Sequence, residues 1–219
     1  MGSFVSQSHQ LITSADKEFI YRLIELAGRT CYKSENLITE NSAEKFIRGL
    51  ISAGHESVLE HASITIRFVT DRGVSHELVR HRIASYSQES TRYCNYSKDK
   101  YSNEITFVTP HFVDDEYDGT NPSHVAFVTA CAESERAYFK LLECGLKPQD
   151  ARQVLNNAVK TEVVATFNMR SLRNMLLQQC STKAHPQMRK LMTPLLNELV
   201  EMLPALFEDI HNAINKINS

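Results

Sequence analysis

At 219 residues, 42% hydrophobic and 23% charged, the chain is long enough to bury a core as one globular domain or two small ones. A formal charge of −2 and a pI of about 6.5 argue against a general nucleic-acid binder, which would be basic overall. No apolar run reaches a membrane span, no signal-peptide pattern is present, and the five scattered cysteines contain no Cys-x-x-Cys pair, so reduced thiols in a cytoplasmic protein are expected.

Taken in order, residues 4–12 read as a short strand and its approach. Residues 15–31 read as a helix with Phe19, Ile20, Leu23, Ile24 and Ala27 on one face. Asn41-x-x-Glu44 has the form of a capping box for a helix over 43–53, with Gly54 at its C′ position. Residues 62–70 alternate as a half-buried strand. Asp71 then caps a helix expected to run to about Ser85, with Glu77, Arg80, His81 and Ala84 on one face and Tyr86–Tyr93 as a loop beyond it. A strand over 104–109 ends at Pro110, and residues 111–121 read as a surface loop. The longest helix is placed at 123–144 with Gly145 as its stop, and another at 149–158 carrying Arg152. Residues 160–168 form a strand, Asn168 enters a helix to about Cys180, and the remainder is helical with breaks near Pro186, Pro194 and Pro204. The expected class is α+β: one domain over 1–219, a central twisted sheet flanked by helices, and a C-terminal helical cluster.

The most informative stretch is Arg80-His81-Arg82-Ile83-Ala84-Ser85-Tyr86-Ser87-Gln88-Glu89-Ser90-Thr91-Arg92. Guanidinium forks suit bidentate capture of phosphate or carboxylate, and the interleaved hydroxyls and amide add neutral donors and acceptors. The physical reading is a site for a phosphorylated ligand in which some polar groups also grip a base or ring. A solvated basic face is the plain alternative.

Arg-His-Arg, two residues, Ser, four residues, Ser, one residue, Arg is present here without a gap. On this order the chain resembles the flavin-dependent thymidylate synthases. The resemblance covers most of residues 50–187 and weakens towards both ends. It implies FAD contacts from Arg80, His81 and Arg82, and from Ser57 and Glu60 in the stretch His55-Glu56-Ser57-Val58-Leu59-Glu60-His61. Asn168-x-Arg170-Ser171-Leu172 with Asn174 is similar to the family's second flavin segment. The same comparison implies dUMP contacts from Glu77, Arg80, Gln88, Ser90 and Arg92, with Gln88 also reaching FAD and Arg152 turned towards the nucleotide phosphate. Position 77 is often Gln in the family and position 88 often Glu, so the two chemistries are exchanged here. The family's activating arginine falls at Gln179, a neutral amide, and Lys183 or Arg173 is the candidate substitute. Implied further are NADPH and 5,10-methylenetetrahydrofolate as co-substrates, dTMP as product, and a homotetramer with shared active sites, acting on neither nucleic acid nor membrane.

Competing chemistries lack their residues. His55 and His61 are six apart, not four, so they do not share a helical face for a metal, and no metal is expected. There is no Gly-x-Gly-x-x-Gly, Walker A, Gly-x-Ser-x-Gly or Cys-His nucleophile pattern, and Ser85 and Ser90 lack a base and an elbow. Two rivals remain: a non-catalytic nucleotide or RNA module stacking on Tyr86, Tyr93 and Tyr96, and a flavoprotein acting on another nucleotide.

Overall fold

The computed structural model describes residues 2–13, 16–98, 102–113 and 117–218. Residue 15 of the first predicted helix and residues 114–116 of the predicted acidic loop lie outside them. The strands are β1 (Ser3–Val5), β2 (Ser8–Leu11), β3 (Ser63–Asp71), β4 (Ala84–Gln88), β5 (Thr106–Val108) and β6 (Lys160–Asn168). The helices are α1 (Lys17–Thr30), α2 (Ala43–Ser52), α3 (Arg72–Leu78), α4 (Pro122–Glu143), α5 (Pro148–Ala151), α6 (Met169–Gln179), α7 (Pro186–Met202) and α8 (Pro204–Asn218). The α+β class and the C-terminal helices expected from the sequence are both present. One sheet has the strand order β2-β3-β6-β4, and a second pairs β1 with β5.

The chain divides into two compact units: Met1–Ser8, Phe68–Val79 and Ser87–Val163 form the first, and His9–Arg67, Arg80–Tyr86 and Val164–Ser219 the second. In the first unit, β1 and β5 pair in parallel with Phe4 opposite Phe107. Tyr96, Ile105, Phe107, Cys131, Tyr138, Ala151 and Val159 make its core. Asn121 caps α4 through a bond from the Ser123 amide, and Gly145 ends it at φ +86°, a backbone angle that a side chain would strain. The second unit buries Ile24, Ile47, Leu59, Ile64 and Ile66, and packs α6, α7 and α8 through Leu172, Met175, Leu176, Leu191, Leu195, Leu199 and Phe207. Removing side chains of this size from a packed core costs about 2–5 kcal/mol each.

Several local expectations change. The single strand over 4–12 splits, because the polar pair Ser6-Gln7 sits between β1 and β2 and Gln7 Oε1 accepts a bond from the Thr70 hydroxyl. Helix α1 is rotated from the predicted face: Phe19 is 65% exposed, whereas Tyr21 and Gly28 are buried. A Cβ on Gly28 would come within 2.7 Å of the Phe46 ring, so its lack of a side chain admits α2 at close range. The Asn41 capping box does not form. Ser42 occupies the N-cap, and its hydroxyl instead accepts from the Thr39 amide and donates to Glu25. Helix α5 stops early and gives way to a 3-10 turn over Arg152–Val154. Asn156 ends it by taking the Ala158 amide on its side chain, a local bond that competes with helix. Pro194 lies inside α7 without ending it, held by buried Leu191, Met192, Leu195 and Leu196 on either side.

The largest difference falls on the signature itself. Helix α3 ends at Leu78, not Ser85, and residues 84–88 are strand. Ala84, Tyr86 and Gln88 are half-buried while Ser85 and Ser87 are exposed, which is a period of two and not of 3.6. Tyr86 seals the reversal: its hydroxyl donates to the His81 carbonyl at 2.6 Å and its ring meets Phe167 edge-on at 5.8 Å. Ile83, at φ +63°, takes the turn in a conformation that β-branched residues avoid.

Candidate functional site

In the first unit, Asp71 caps α3 by accepting the Val74 amide at 2.7 Å, which fixes the helix that carries Ser75 and Glu77. Glu77 is half-buried at its last turn. Gln88, the final residue of β4, is tied to two buried hydroxyls. Its Nε2 donates to Ser75 Oγ at 2.9 Å and to Thr161 Oγ1 at 3.2 Å. Ser75 Oγ in turn donates to the Arg72 carbonyl at 3.0 Å, and Thr161 Oγ1 accepts from Arg72 Nη1 at 3.4 Å. Ser75 and Thr161 are fully buried. Neither stands out in the sequence, since a lone hydroxyl in a helix or strand carries no motif; only the fold reveals them.

Glu89 anchors the next step. Its amide donates to the Glu162 carbonyl at 2.9 Å, its carboxylate pairs with Lys160 at 3.2 Å, and the Tyr96 hydroxyl donates to it at 3.4 Å. Burial works against charge on Lys160, but Glu162 and Glu89 outweigh it and raise its pKa, so it stays cationic. Burial also pushes the Tyr96 phenol up, keeping it neutral and a donor. Ser90 accepts the Arg92 amide on its hydroxyl and the Cys94 amide on its carbonyl, which curls the chain into a turn. Arg92 is exposed, its guanidinium 5.4 Å from the Tyr93 ring centre. Arg152 reaches the same turn, donating to Thr91 Oγ1 at 3.2 Å. The structure thus gathers Gln88, Ser90, Arg92 and Arg152 into one neighbourhood.

In the second unit, Arg80 and Arg82 are exposed and have no ion-pair partner among the described residues. His81 shares a 2.8 Å hydrogen bond with the Gln179 amide at the end of α6, so Gln179, to which the resemblance assigns the activating role, lies beside the signature. Burial raises the Tyr86 phenol to about 12, so this donor to the His81 carbonyl stays protonated at neutral pH. Ser57 and Glu60 lie exposed in the 3-10 turn Glu56–His61. Glu60 pairs with Arg170 at 2.7 Å, and both side chains are over 40% exposed. Exposed pairs of this kind are worth no more than about 1 kcal/mol, so a ligand could displace either partner cheaply. Asn168 is the N-cap of α6, its Oδ1 accepting the Ser171 amide at 2.8 Å, which leaves its amide nitrogen for other use. Asn174 is exposed and accepts from Gln178 at 3.0 Å.

Arg173 differs from the other candidates. It is buried, forked onto Asp209 through two 2.8 Å contacts, paired with Glu56 at 3.3 Å, and bonded to the Leu206 carbonyl. Burial alone would raise the Asp209 pKa, but the Arg173 bond outweighs it and holds the carboxyl below its usual range. The pair's stabilisation is therefore present at neutral pH and fades as pH falls through that lowered value. Every polar direction but Nε is occupied, so Arg173 is a strut between α6 and α8, unsuited to serve as the substitute cation considered above. Lys183 is exposed in the turn between α6 and α7.

Fold and side chains describe an α+β protein whose signature segment presents exposed arginines among hydroxyls and amides, and whose sequence has no glycine-rich loop. Residues 11–205 match the protein-family model for thymidylate synthase complementing protein, Thy1. The flavin-dependent thymidylate synthase of Geobacter sulfurreducens is 34% identical over 193 residues, covering 85% of this chain and 80% of that protein. Those of Clostridium tetani and Mycolicibacterium gilvum are 31% and 34% identical over 85% and 90% of this chain, and over 80% and 82% of their own lengths. The chain belongs to the Thy1 family of flavin-dependent thymidylate synthases and is an enzyme of that class. In fold it is similar to a UMP/dUMP methylase, PolB from Streptomyces cacaoi, solved with bound 5-Br dUMP: TM-score 0.78 at 20% identity, over 99% of this chain and 100% of that one.

Proposed function

We propose that this protein converts dUMP to dTMP, with 5,10-methylenetetrahydrofolate as carbon donor, NADPH as reductant and FAD as the bound flavin. The observation that carries the reading is the Arg152–Thr91 contact: 61 positions apart, the second candidate phosphate arginine lies against the signature turn that holds Arg92. Two guanidinium groups there suit a nucleotide phosphate, which accepts paired N–H donors. Gln88, Glu77 and Ser90 supply polar groups for the pyrimidine edge.

The second unit's residues fit a flavin dinucleotide by their chemistry. Arg80 and Arg82 are exposed cations for the diphosphate, and Ser57, Asn168 and Asn174 are small polar groups able to meet ring and ribose oxygens. FAD, when bound, supplies the hydride chemistry that the side chains lack. The protein's own contribution is orientation, together with a proton held at chosen atoms: the Tyr86 hydroxyl on the His81 carbonyl, and the amide of Gln179 against the imidazole of His81. A neutral amide at position 179 donates one hydrogen bond but does not offset charge on an activated pyrimidine. Lys183 is the remaining candidate cation. We further propose that the chain works as one catalytic domain, assembles as a homotetramer with shared sites, and acts in the cytoplasm.

The test is direct. Purified protein should be yellow, release FAD on denaturation, and show a flavin spectrum that shifts with dUMP. Protein that stays colourless after FAD addition and shows no binding by titration would overturn the reading and favour a nucleic-acid module.

A further inference from the structure

The polarity of the Gln88 amide is set by a neighbour. Ser75 has one hydroxyl proton, and the Arg72 carbonyl, 3.0 Å away, takes it. The atom of Gln88 that faces Ser75 at 2.9 Å must then be a donor, which is the NH2 group. Thr161 is compatible with that orientation, its oxygen accepting from Arg72 Nη1 at 3.4 Å and from the same Gln88 nitrogen at 3.2 Å, but it is the committed Ser75 proton that sets the polarity. Reversing the amide would set its carbonyl oxygen against the Ser75 lone pairs in a fully buried position, where an unmade bond is costly. Among the described residues no donor meets Gln88 Oε1, so the carbonyl is the face left for a ligand. Glutamate at 88 would present an acceptor in either orientation. Glutamine does so only because Ser75 holds it.

We propose that Ser75 is a specificity-determining positioning residue: it locks Gln88 with its carbonyl outward, so that position 88 reads the imide N3–H of a uracil ring and repels the N3 lone pair of cytosine. The inference rests on the nucleotide reading above, in which Gln88 meets the pyrimidine.

The experiment measures dUMP and dCMP affinities by competition titration on the FAD-loaded protein, for wild type, Ser75→Ala, and Ser75→Ala with Gln88→Glu. Removing the Ser75 oxygen frees the amide to turn, so its NH2 can meet cytosine. The dUMP-to-dCMP preference should fall about tenfold in Ser75→Ala, the scale of one hydrogen bond. Adding Gln88→Glu should restore it, since a carboxylate needs no orienting. A purely structural role for Ser75 would weaken both nucleotides alike and leave the ratio unchanged, and that result overturns the proposal, as does a double variant that stays unselective. If wild type binds FAD and neither nucleotide, the nucleotide reading itself fails, and this inference with it.

Discussion

The signature segment and the α6–α8 pair use arginine in opposite ways. Arg80, Arg82 and Arg92 stand exposed with no ion-pair partner among the described residues. Arg173, on α6, is buried and saturated by Asp209, Glu56 and the Leu206 carbonyl. A guanidinium that has its full set of acceptors is a structural cross-link. One that lacks them is available to an incoming phosphate, at the cost of water only. By residue type alone the four are equivalent, and their surroundings separate them. The residues between the arginines are treated differently again: Gln88 and Glu89 are fixed from several sides, so the part proposed to read the base is organised in advance, whereas Arg80, Arg82 and Arg92 carry no ion pair among the described residues.

Substitution tests this contrast. Arg173→Ala should cost the most stability, about 3 kcal/mol by urea denaturation, because it strands a half-buried carboxylate and a buried carbonyl. Arg80→Ala should stay within about 0.5 kcal/mol of wild type in the same assay. Equal losses would erase the distinction between strut and ligand arginines.

Arg92→Ala should weaken dUMP roughly ten- to a hundredfold, the scale of about 1.5–3 kcal/mol for a charged hydrogen-bonding partner, and leave FAD affinity near wild type. A parallel loss of both would mean that the Ser90–Tyr93 turn, and not a phosphate contact, had been damaged.

The smallest effect sharpens the contrast at position 179. Gln179→Arg places a cation beside His81, where the neutral amide now stands. Restoring charge stabilisation of this kind should speed dTMP formation about tenfold, part of what such groups supply in sites built around them, with flavin reduction by NADPH unchanged. If methylation is no faster, and Lys183→Ala does not slow it, the activating group lies elsewhere.

Much of the molecule could be read from the chain. Strands near 62–70 and 160–168 alternate visibly, Asp71 and Asn168 cap the helices that follow them, and Gly54 and Gly145 end two others at positive φ. These features act within about four residues, so local sequence carries them. The candidate ligand chemistry was legible too, because six signature residues of fixed type follow one another within thirteen positions. What local reading missed depends on distant partners. Helix α3 stops at Leu78 and 84–88 becomes a strand beside β6, anchored where Tyr86 meets Phe167. Arg173 became a strut because Asp209, 36 positions later, returns to it. The orientation of Gln88 belongs to Ser75, 13 positions earlier, and Thr161, 73 later. The sequence by itself determined which groups could bind a phosphate and a base. Tertiary structure decided which were free to do so, because a buried polar group must find a partner and only the fold supplies it.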